Sequence, residues 1–353
     1  MIAAAREETT LQSIDPLDEA GRWDELVRKH PQASIFHSSA WARVLWETYR
    51  FRPFFYAEAA REEKQAPAIL ALVEAESWVT GRRGVSAPFA DECSILPSSN
   101  VSIPKAWDFA LRVGEKRNWR TIEVRGVSEE SLGMSLEFYQ HTLPLFGGAA
   151  RVFEGFDSSV RRAIRKAERS GIITTIERTE EAMRTYYQLH CLTRKKHGLP
   201  PQPLRFFLEI WRQIVGPGLG FVTIARLGKN AVAGAVFFEF QRRALYKYGA
   251  SDPAADCLRP SNHAMWSGIS ELCERGATEL SFGRSSLHNS GLRQYKLGWG
   301  SQESRLRYTK WNFGTNRFVQ ETDRSTGWQN AFFRKCPKAA ARMIGRFIYP
   351  HIA

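Results

Sequence analysis

The chain has 353 residues, 43% of them apolar and 25% charged, a balance that excludes a disordered chain and leaves room for two domains of ordinary size. It contains no apolar run of the length a membrane-spanning helix needs, about 18 residues, and the start "MIAAAREETTLQSIDP" lacks a basic stretch followed by a long apolar one, so a cytoplasmic protein is expected. A net charge of +13, from 50 Lys+Arg against 37 Asp+Glu, points to polyanionic company: nucleic acid, a phosphorylated substrate or an anionic membrane surface.

After a lead-in over residues 1–30, "SSAWARVLWETY" reads as a helix. "RPFFYAEAA" and "APAILALVEAES" read as adjacent strands joined by the polar "REEKQ". Residues 103–126, "IPKAWDFALRVGEKRNWRTIEVRG", read as a proline-opened helix with apolar positions at i and i+4, then a turn and an alternating strand. Next comes "FDSSVRRAIRKAERSGI", a helix that Asp157 or Ser158 can cap and Gly171 can end. Val160, Ile164 and Ala167 form its narrow apolar stripe. Arg161, Arg162, Arg165, Lys166 and Arg169 cover the rest against the single acid Glu168. Such a surface is either a solvated face or a partner site for an anion.

The order then repeats. "MRTYYQLHCLTRKKHG" is a helix; "GLGFVTIARLG", "AVAGAVFFEFQ" and "ALYKYGASD" are strands; and 259–284 is again a proline-opened helix followed by a strand. At an offset of 158 residues Trp107 and Leu111 fall on Met265 and Ile269, and Ile122 and Val124 fall on Leu280 and Phe282, with Pro104 near Pro260. The chain is therefore read as α/β, two copies of helix, three strands, helix, strand, the last helix crossing over within the sheet. The boundaries expected are a first domain at 31–150, a basic linking helix at 151–172, a second domain at 173–315 and a basic tail at 316–353. Cys93, Cys191, Cys257, Cys273 and Cys336 are scattered and odd in number, with no CxxC pair, which reads as reduced thiols. His190 and His197 share a helix face without a third ligand, and no metal site is read.

Three features carry candidate chemistry. "FGRSSLHNSGLRQYKLGWGS" (282–301) follows an apolar strand and reads as a glycine-punctuated loop presenting Arg284, Tyr295 and Lys296. Arg284 stands at a strand's carboxyl end, where α/β sheets bind ligands; its fork suits phosphate or carboxylate, or else a terminal salt bridge. Tyr248 is either a wall of the same cleft or core. Asn262 and His263 stand at a helix start, His263 as a general base or a packing residue. Finally, "PKAAARMIGRFIYPHIA" reads as an amphipathic helix with Ala340, Met343, Ile344 and Phe347 on one face and bases on another. With no acid after Asn330, residues 331–349 are expected either to dock on the second domain or to bind weakly at an anionic membrane surface.

Four stretches in order resemble the Fem-type transferases, which carry two GNAT-like domains. "FHSSAWARVLWE" is similar to the family's opening helix, "RRAIRKAERSGI" to its inter-domain stretch, and "LRQYKLGWGS" to its closing Phe/Tyr-Lys-x-Gly-Phe/Trp-Gly element. "VTGRRGVSAPFADECSIL" is similar to a Gly-Arg-x-x-x-Ser-x-Pro-Phe stretch of a subgroup associated with exopolysaccharide and exosortase systems. The resemblance covers roughly residues 30–315 and implies two tandem GNAT-like domains, each a mixed sheet flanked by helices. It implies an enzyme moving an acyl or aminoacyl group, from aminoacyl-tRNA or acyl-CoA, onto an amine of a peptidoglycan, polysaccharide or other cell-envelope precursor. By the same resemblance Lys296 is the catalytic cation, facing the reacting carbonyl or the acceptor's carboxylate or phosphate, where otherwise it would be a surface lysine in a flexible loop; Arg284, Tyr248, Tyr295, His263, Asn262, Arg162 and Arg165 are the substrate-binding candidates. Two departures bear on substrates. Arg259–His263 contain no glycine, and Pro260 removes an amide from the loop that would cradle a CoA pyrophosphate. Leu45 stands where family members that bind a UDP-linked precursor tend to carry a lysine, four residues after Trp41. The alternatives are a CoA-dependent N-acyltransferase and a tRNA- or polyanion-binding module without catalysis.

Overall fold

The computed structural model describes residues 11–59, 65–127, 129, 131–323, 333, 334 and 336–352. Parts of the sequence reading therefore lie outside the described residues: residues 1–10 of the lead-in, most of the "REEKQ" connection, and residues 324–332 and Lys335 of the tail. By contacts the chain forms two compact units, residues 1–136 with 307–321, and residues 137–306 with 322–352.

The first unit holds β1 (Leu11–Ser13), α1 (Ala20–Arg28), α2 (Ser39–Tyr49), β2 (Arg52–Glu58), β3 (Ile69–Ser77), β4 (Gly81–Val85), α3 (Ile103–Lys116) and β5 (Thr121–Arg125). Ser38 caps α2 by accepting from the Trp41 amide. β1 to β4 pair antiparallel in chain order, and α3 returns the chain so that β5 lies parallel to β4. The core gathers Leu70, Leu72, Trp107, Ala110, Trp119, Ile122 and Val124.

The second unit holds β6 (Leu136–Pro144), α4 (Gly148–Glu154), α5 (Ser158–Arg169), β7 (Ile172–Glu177), α6 (Glu180–His197), α7 (Leu204–Ile210), β8 (Gly220–Leu227), β9 (Asn230–Phe240), β10 (Arg243–Ser251), α8 (Pro260–Glu274), β11 (Glu279–Ser286) and α9 (Ser290–Leu297). After it come β12 (Gln302–Asn312), β13 (Arg317–Phe318) and α10 (Lys338–Ile348). α6 is set by its ends. Thr179 accepts from the Ala182 amide, Glu180 and Glu181 meet the positive pole, Arg194 to His197 meet the negative pole, and Gly198 takes the left-handed conformation that stops it. β7 to β10 pair antiparallel, and β11 is parallel to β10. Met265, Ile269, Leu280 and Phe282, the positions matched by the 158-residue offset, sit in one core with Phe221, Phe237 and Trp299.

Each unit's sheet takes its last strand from the sequence that follows the other copy. β6 comes after the first copy yet pairs antiparallel with β11. β12 comes after the second copy, and its residues 308–312 pair antiparallel with β5. Neither strand was read from the sequence. Two further differences matter for the site. The segment read as a link at 151–172 comprises most of α4 and all of α5, and both helices belong to the second unit. The stretch read as a loop at 282–301 contains α9, whose first turn is fixed by Asn289 Oδ1 accepting from the Leu292 amide.

Candidate active site

The second unit's parallel strands pair only at their beginnings. β10 and β11 are in register at Arg243↔Glu279, Ala244↔Leu280 and Leu245↔Ser281. Beyond these pairs each strand continues against its other neighbour, β10 to Ser251 along β9 and β11 to Ser286 along β6. Both carry an irregularity where they part. β10 shifts register between Tyr246 and Tyr248, which makes Lys247 an extra residue, and β11 shifts between Ser281 and Arg284, around Gly283 at φ +67°. A bulge leaves its extra residue outside the ladder and bends the strand. The sheet thus opens at the carboxyl ends of two parallel strands, the place where α/β folds take their ligands.

Lys296 closes the β11 side of this opening from beneath. It lies on α9, is 4% exposed, and its Nζ donates to the carbonyls of Gly283 and Arg284, both at 2.9 Å. The lysine read as a loop cation is a buried one that holds the bulge. Burial of an ammonium requires charge-assisted partners, and two backbone carbonyls provide them. The flanking glycines bring backbone against backbone. Gly300, at φ +74°, packs so close to the Gly155 carbonyl that a Cβ would stand 2.9 Å from it, and Gly298 accepts from the Asp157 amide. They let the turn after α9 seat against the start of α5.

Beside α9 lies a cleft of about 330 Å³ lined by Asp157, Ser159, Val160, Ala163, Arg259, Asn262, Gln294, Tyr295 and Gly298. It draws on the start of α5, the start of α8 and the outer side of α9. Tyr295 lines this cleft, is 37% exposed, and has its pKa raised to about 12 by desolvation. It is a phenol, a hydrogen donor, at any physiological pH. The start of α8 offers few amides: Pro260 has none, and the Asn262 amide is taken by the Arg259 carbonyl.

The structure brings Asn262, Tyr295 and Lys296 to this region and places the other candidates elsewhere. Arg284 is exposed, its guanidinium 4.4 Å over the Phe138 ring. Tyr248 packs into an aromatic cluster with Phe206, Phe207 and His190. His263 Nδ1 is hydrogen-bonded to Thr174 Oγ1 at 2.6 Å, and burial lowers its pKa. Arg162 and Arg165 are exposed on α5, the first bonded to Ser158 and the second over Phe153.

A polar group next to Lys296 escaped the sequence reading. His141 on β6 is fully buried, 3.2 Å from Glu303 on β12, and Arg293 on α9 grips the same carboxylate at 2.6 and 2.9 Å. Burial, reinforced by the Lys296 cation, lowers the His141 pKa against the pull of Glu303. The Arg293 hydrogen bonds, more than any other cause, hold the Glu303 carboxyl below its ordinary value. Arg293 and Arg305 also lie 4.6 and 4.4 Å from the Tyr139 ring. The spacing Arg293, Lys296, Glu303 was visible in the sequence, but β6 was not.

In the first unit the corresponding opening is filled. β4 and β5 also pair at three positions, Arg83↔Thr121 through Val85↔Glu123, but the chain that follows β4 then lies against the end of β5, with an isolated bridge Cys93↔Arg125. The Ser86 amide donates to Glu123, the Arg125 amide to Ser86 Oγ, and the Cys93 amide to the Arg125 carbonyl. Arg125 is ion-paired with Glu123 at 2.8 Å and donates to the Ala90 carbonyl at 3.0 Å.

Comparison with known proteins agrees with this geometry. A family model described as an acetyltransferase (GNAT) domain matches residues 155–297, which include β10, α8, β11 and α9. Among solved structures the chain is similar to FemX, at 14% identity and a TM-score of 0.62, with 82% of this chain and 95% of that one covered. It is similar to L-PGS from Bacillus licheniformis, at 13% identity and 0.55, covering 95% and 99%. It is also similar to a tandem GNAT protein from the clavulanic acid biosynthesis pathway, at 11% and 0.50, covering 89% and 99%. No curated protein matches the chain in sequence. The fold is a tandem GNAT fold, and residues 155–297 are the part of the chain that the acetyltransferase (GNAT) model matches.

Proposed function

We propose that the chain is a Fem-like transferase that moves an aminoacyl group from an activated ester onto an amine of a cell-envelope or polysaccharide precursor. The observation that carries this reading is the opened β10–β11 pair, bulged on both sides and flanked by the Tyr295–Asn262–Arg259 cleft. An acyl donor laid in the opening presents its carbonyl to backbone amides at the Lys247 bulge, which supply hydrogen bonds to the developing oxyanion. The acceptor nitrogen forms the new C–N bond, the ester C–O bond breaks, and the proton lost by the amine ends on the departing hydroxyl. Tyr295, held as a phenol, donates a hydrogen bond to that leaving oxygen. Lys296 fixes the β11 edge and places a positive charge beneath it.

The donor is assigned as an aminoacyl ester because the start of α8 has a proline and an internally bonded amide where a pyrophosphate cradle needs donors. The bases exposed along α5, whose first turns line the cleft through Ser159, Val160 and Ala163, suit the phosphates of a tRNA end. An acyl-CoA donor is the second reading, supported by the acetyltransferase description of the matching family model. The test offers the protein charged tRNA and acyl-CoA in parallel, with amine-bearing envelope precursors as acceptors, and follows acceptor mass. Transfer from tRNA alone is expected. Transfer from acyl-CoA alone replaces this reading with the second, and tRNA retention without transfer makes the chain a binding module.

A further inference from the structure

The last helix docks on the second unit by one face and leaves an unusual one outside. The docked face is made of small residues and one anchor. Ala341 is buried, and Gly345 lies so close to the Pro201 carbonyl that a Cβ would stand 2.0 Å from it. Tyr349 Oη accepts from Arg194 at 2.6 Å and donates to the Pro200 carbonyl at 3.1 Å. The sequence reading left the apolar face of Ala340, Met343, Ile344 and Phe347 either to dock or to meet a membrane surface, and Met343 and Phe347 do not dock. Met343 is 60% and Phe347 67% exposed, and Ile352 beyond them is 59% exposed. Arg342 and Arg346, also exposed, run beside them at the same i, i+4 spacing, and Arg342 lies 5.7 Å over the Tyr187 ring.

We propose that this outer face of α10 seats the protein on an anionic lipid surface. Two large apolar side chains one turn apart, edged by two arginines, match a layer that is hydrocarbon below and phosphate above. The charge is one-signed: residues 331–352 contain no acid. Around the helix, Arg334 is exposed and close enough to His197 to help lower its pKa, and α6 ends in Arg194, Lys195 and Lys196. A nucleic acid would use the arginines but has no use for exposed Met and Phe at helical spacing. A protein groove would use the apolar pair but gains little from an unbroken basic rim. Because the other face is locked by Ala341, Gly345 and Tyr349, the helix meets the surface already folded and pays no ordering cost there.

The experiment is co-sedimentation of the full chain with vesicles of phosphatidylcholine containing about a third phosphatidylglycerol, at low and high salt. The expected result is binding at low salt that falls in high salt and is absent on pure phosphatidylcholine. Met343→Glu with Phe347→Glu should abolish it, and Arg342→Glu with Arg346→Glu should weaken it by about fivefold or more per arginine. These side chains stand in solvent, so melting temperatures should match that of the parent, and the salt series on the parent chain tests the idea even if a variant fails to fold. Failure to sediment, equal binding to neutral vesicles, or undiminished binding of the Met343/Phe347 variant overturns the proposal. So does a dimer in light scattering that the same pair abolishes, which would make the face a self-interface. None of these outcomes touches the donor specificity tested above.

Discussion

Replacing Lys296 with methionine keeps the length and volume of the side chain while deleting the ammonium. The change strands the Gly283 and Arg284 carbonyls, each bonded at 2.9 Å to a group that is only 4% exposed. Hydrogen bonds to a charged donor contribute about 1.5–3 kcal/mol each, so their loss costs roughly 3–6 kcal/mol. Relief of the ammonium's desolvation offsets part of this, leaving about 2–4 kcal/mol. For a unit of this size that is a fall in melting temperature of roughly 4–16 °C. The assay is reversible denaturant unfolding together with calorimetry. Lys296→Gln, which keeps donors but no charge, should lie between the parent and the methionine variant. A Lys296→Met protein that melts within a degree of the parent would refute the buried clamp, and Lys296 would then have to be a surface cation. A lysine presented by a loop, as the sequence was read, would lose little stability on the same change.

Gly249→Ala should destabilise by about 1–3 kcal/mol or more, because its Cβ would stand 1.7 Å from Tyr246 Oη. Adding Tyr246→Phe should recover part of the loss but not all, since Cζ would still be 2.8 Å away; full independence of the two changes in a double-mutant cycle counts against the contact. Burial holds the His190 pKa at about 3, below the unfolded value of about 6.5, so the unfolded chain takes up its proton first. The His190 contribution is complete above pH 6.5 and is lost as pH falls, by roughly 2 kcal/mol between pH 7.5 and 5. His190→Phe should flatten the pH dependence of stability in that window, and an unchanged slope would be the contrary result. Tyr295→Phe should lower kcat by about tenfold or more with little change in melting temperature, and an unaltered kcat in the assay of charged tRNA would remove Tyr295 from the chemistry.

The repeat was legible because sheet and helix periods leave the same apolar marks twice. Trp107, Leu111, Ile122 and Val124 meet Met265, Ile269, Leu280 and Phe282 at one offset, and they fill corresponding places in two cores. β6 was not legible because its buried positions, Phe138, His141 and Leu143, keep no single alternating apolar face, and one of them is a polar histidine. α9 was hidden by Gly291 and its short length, although Asn289 gave a usable capping signal. The position of Lys296 could not be read at all. Lysine is rarely buried, and what buries it here is a pair of carbonyls turned inward by a bulge, a feature of backbone geometry with no residue code.

The two units also show why a shared frame does not give a shared function. Their described strands follow the same order, with a parallel pair of three positions in each, yet only in the first unit does the following chain cover the end of the pair. In the first unit the chain leaving β4 stays against β5, with Ala87 at φ +55° and Phe89 at φ +63°. Those are left-handed conformations that cost a non-glycine residue of order 1 kcal/mol or more each. The Arg125 ion pair with Glu123 and the bond to the Ala90 carbonyl hold that segment in place against this cost. In the second unit a bulge at Lys247 and a turn of β11 at Gly283 bend the strands away from each other, and a lysine holds one of the bends. Catalytic capacity in such a duplicated chain is thus decided after the parallel pair begins, by whether the next few residues fill the opening or keep it clear. On that criterion the transfer proposed above belongs to the second unit, whose opening is kept clear.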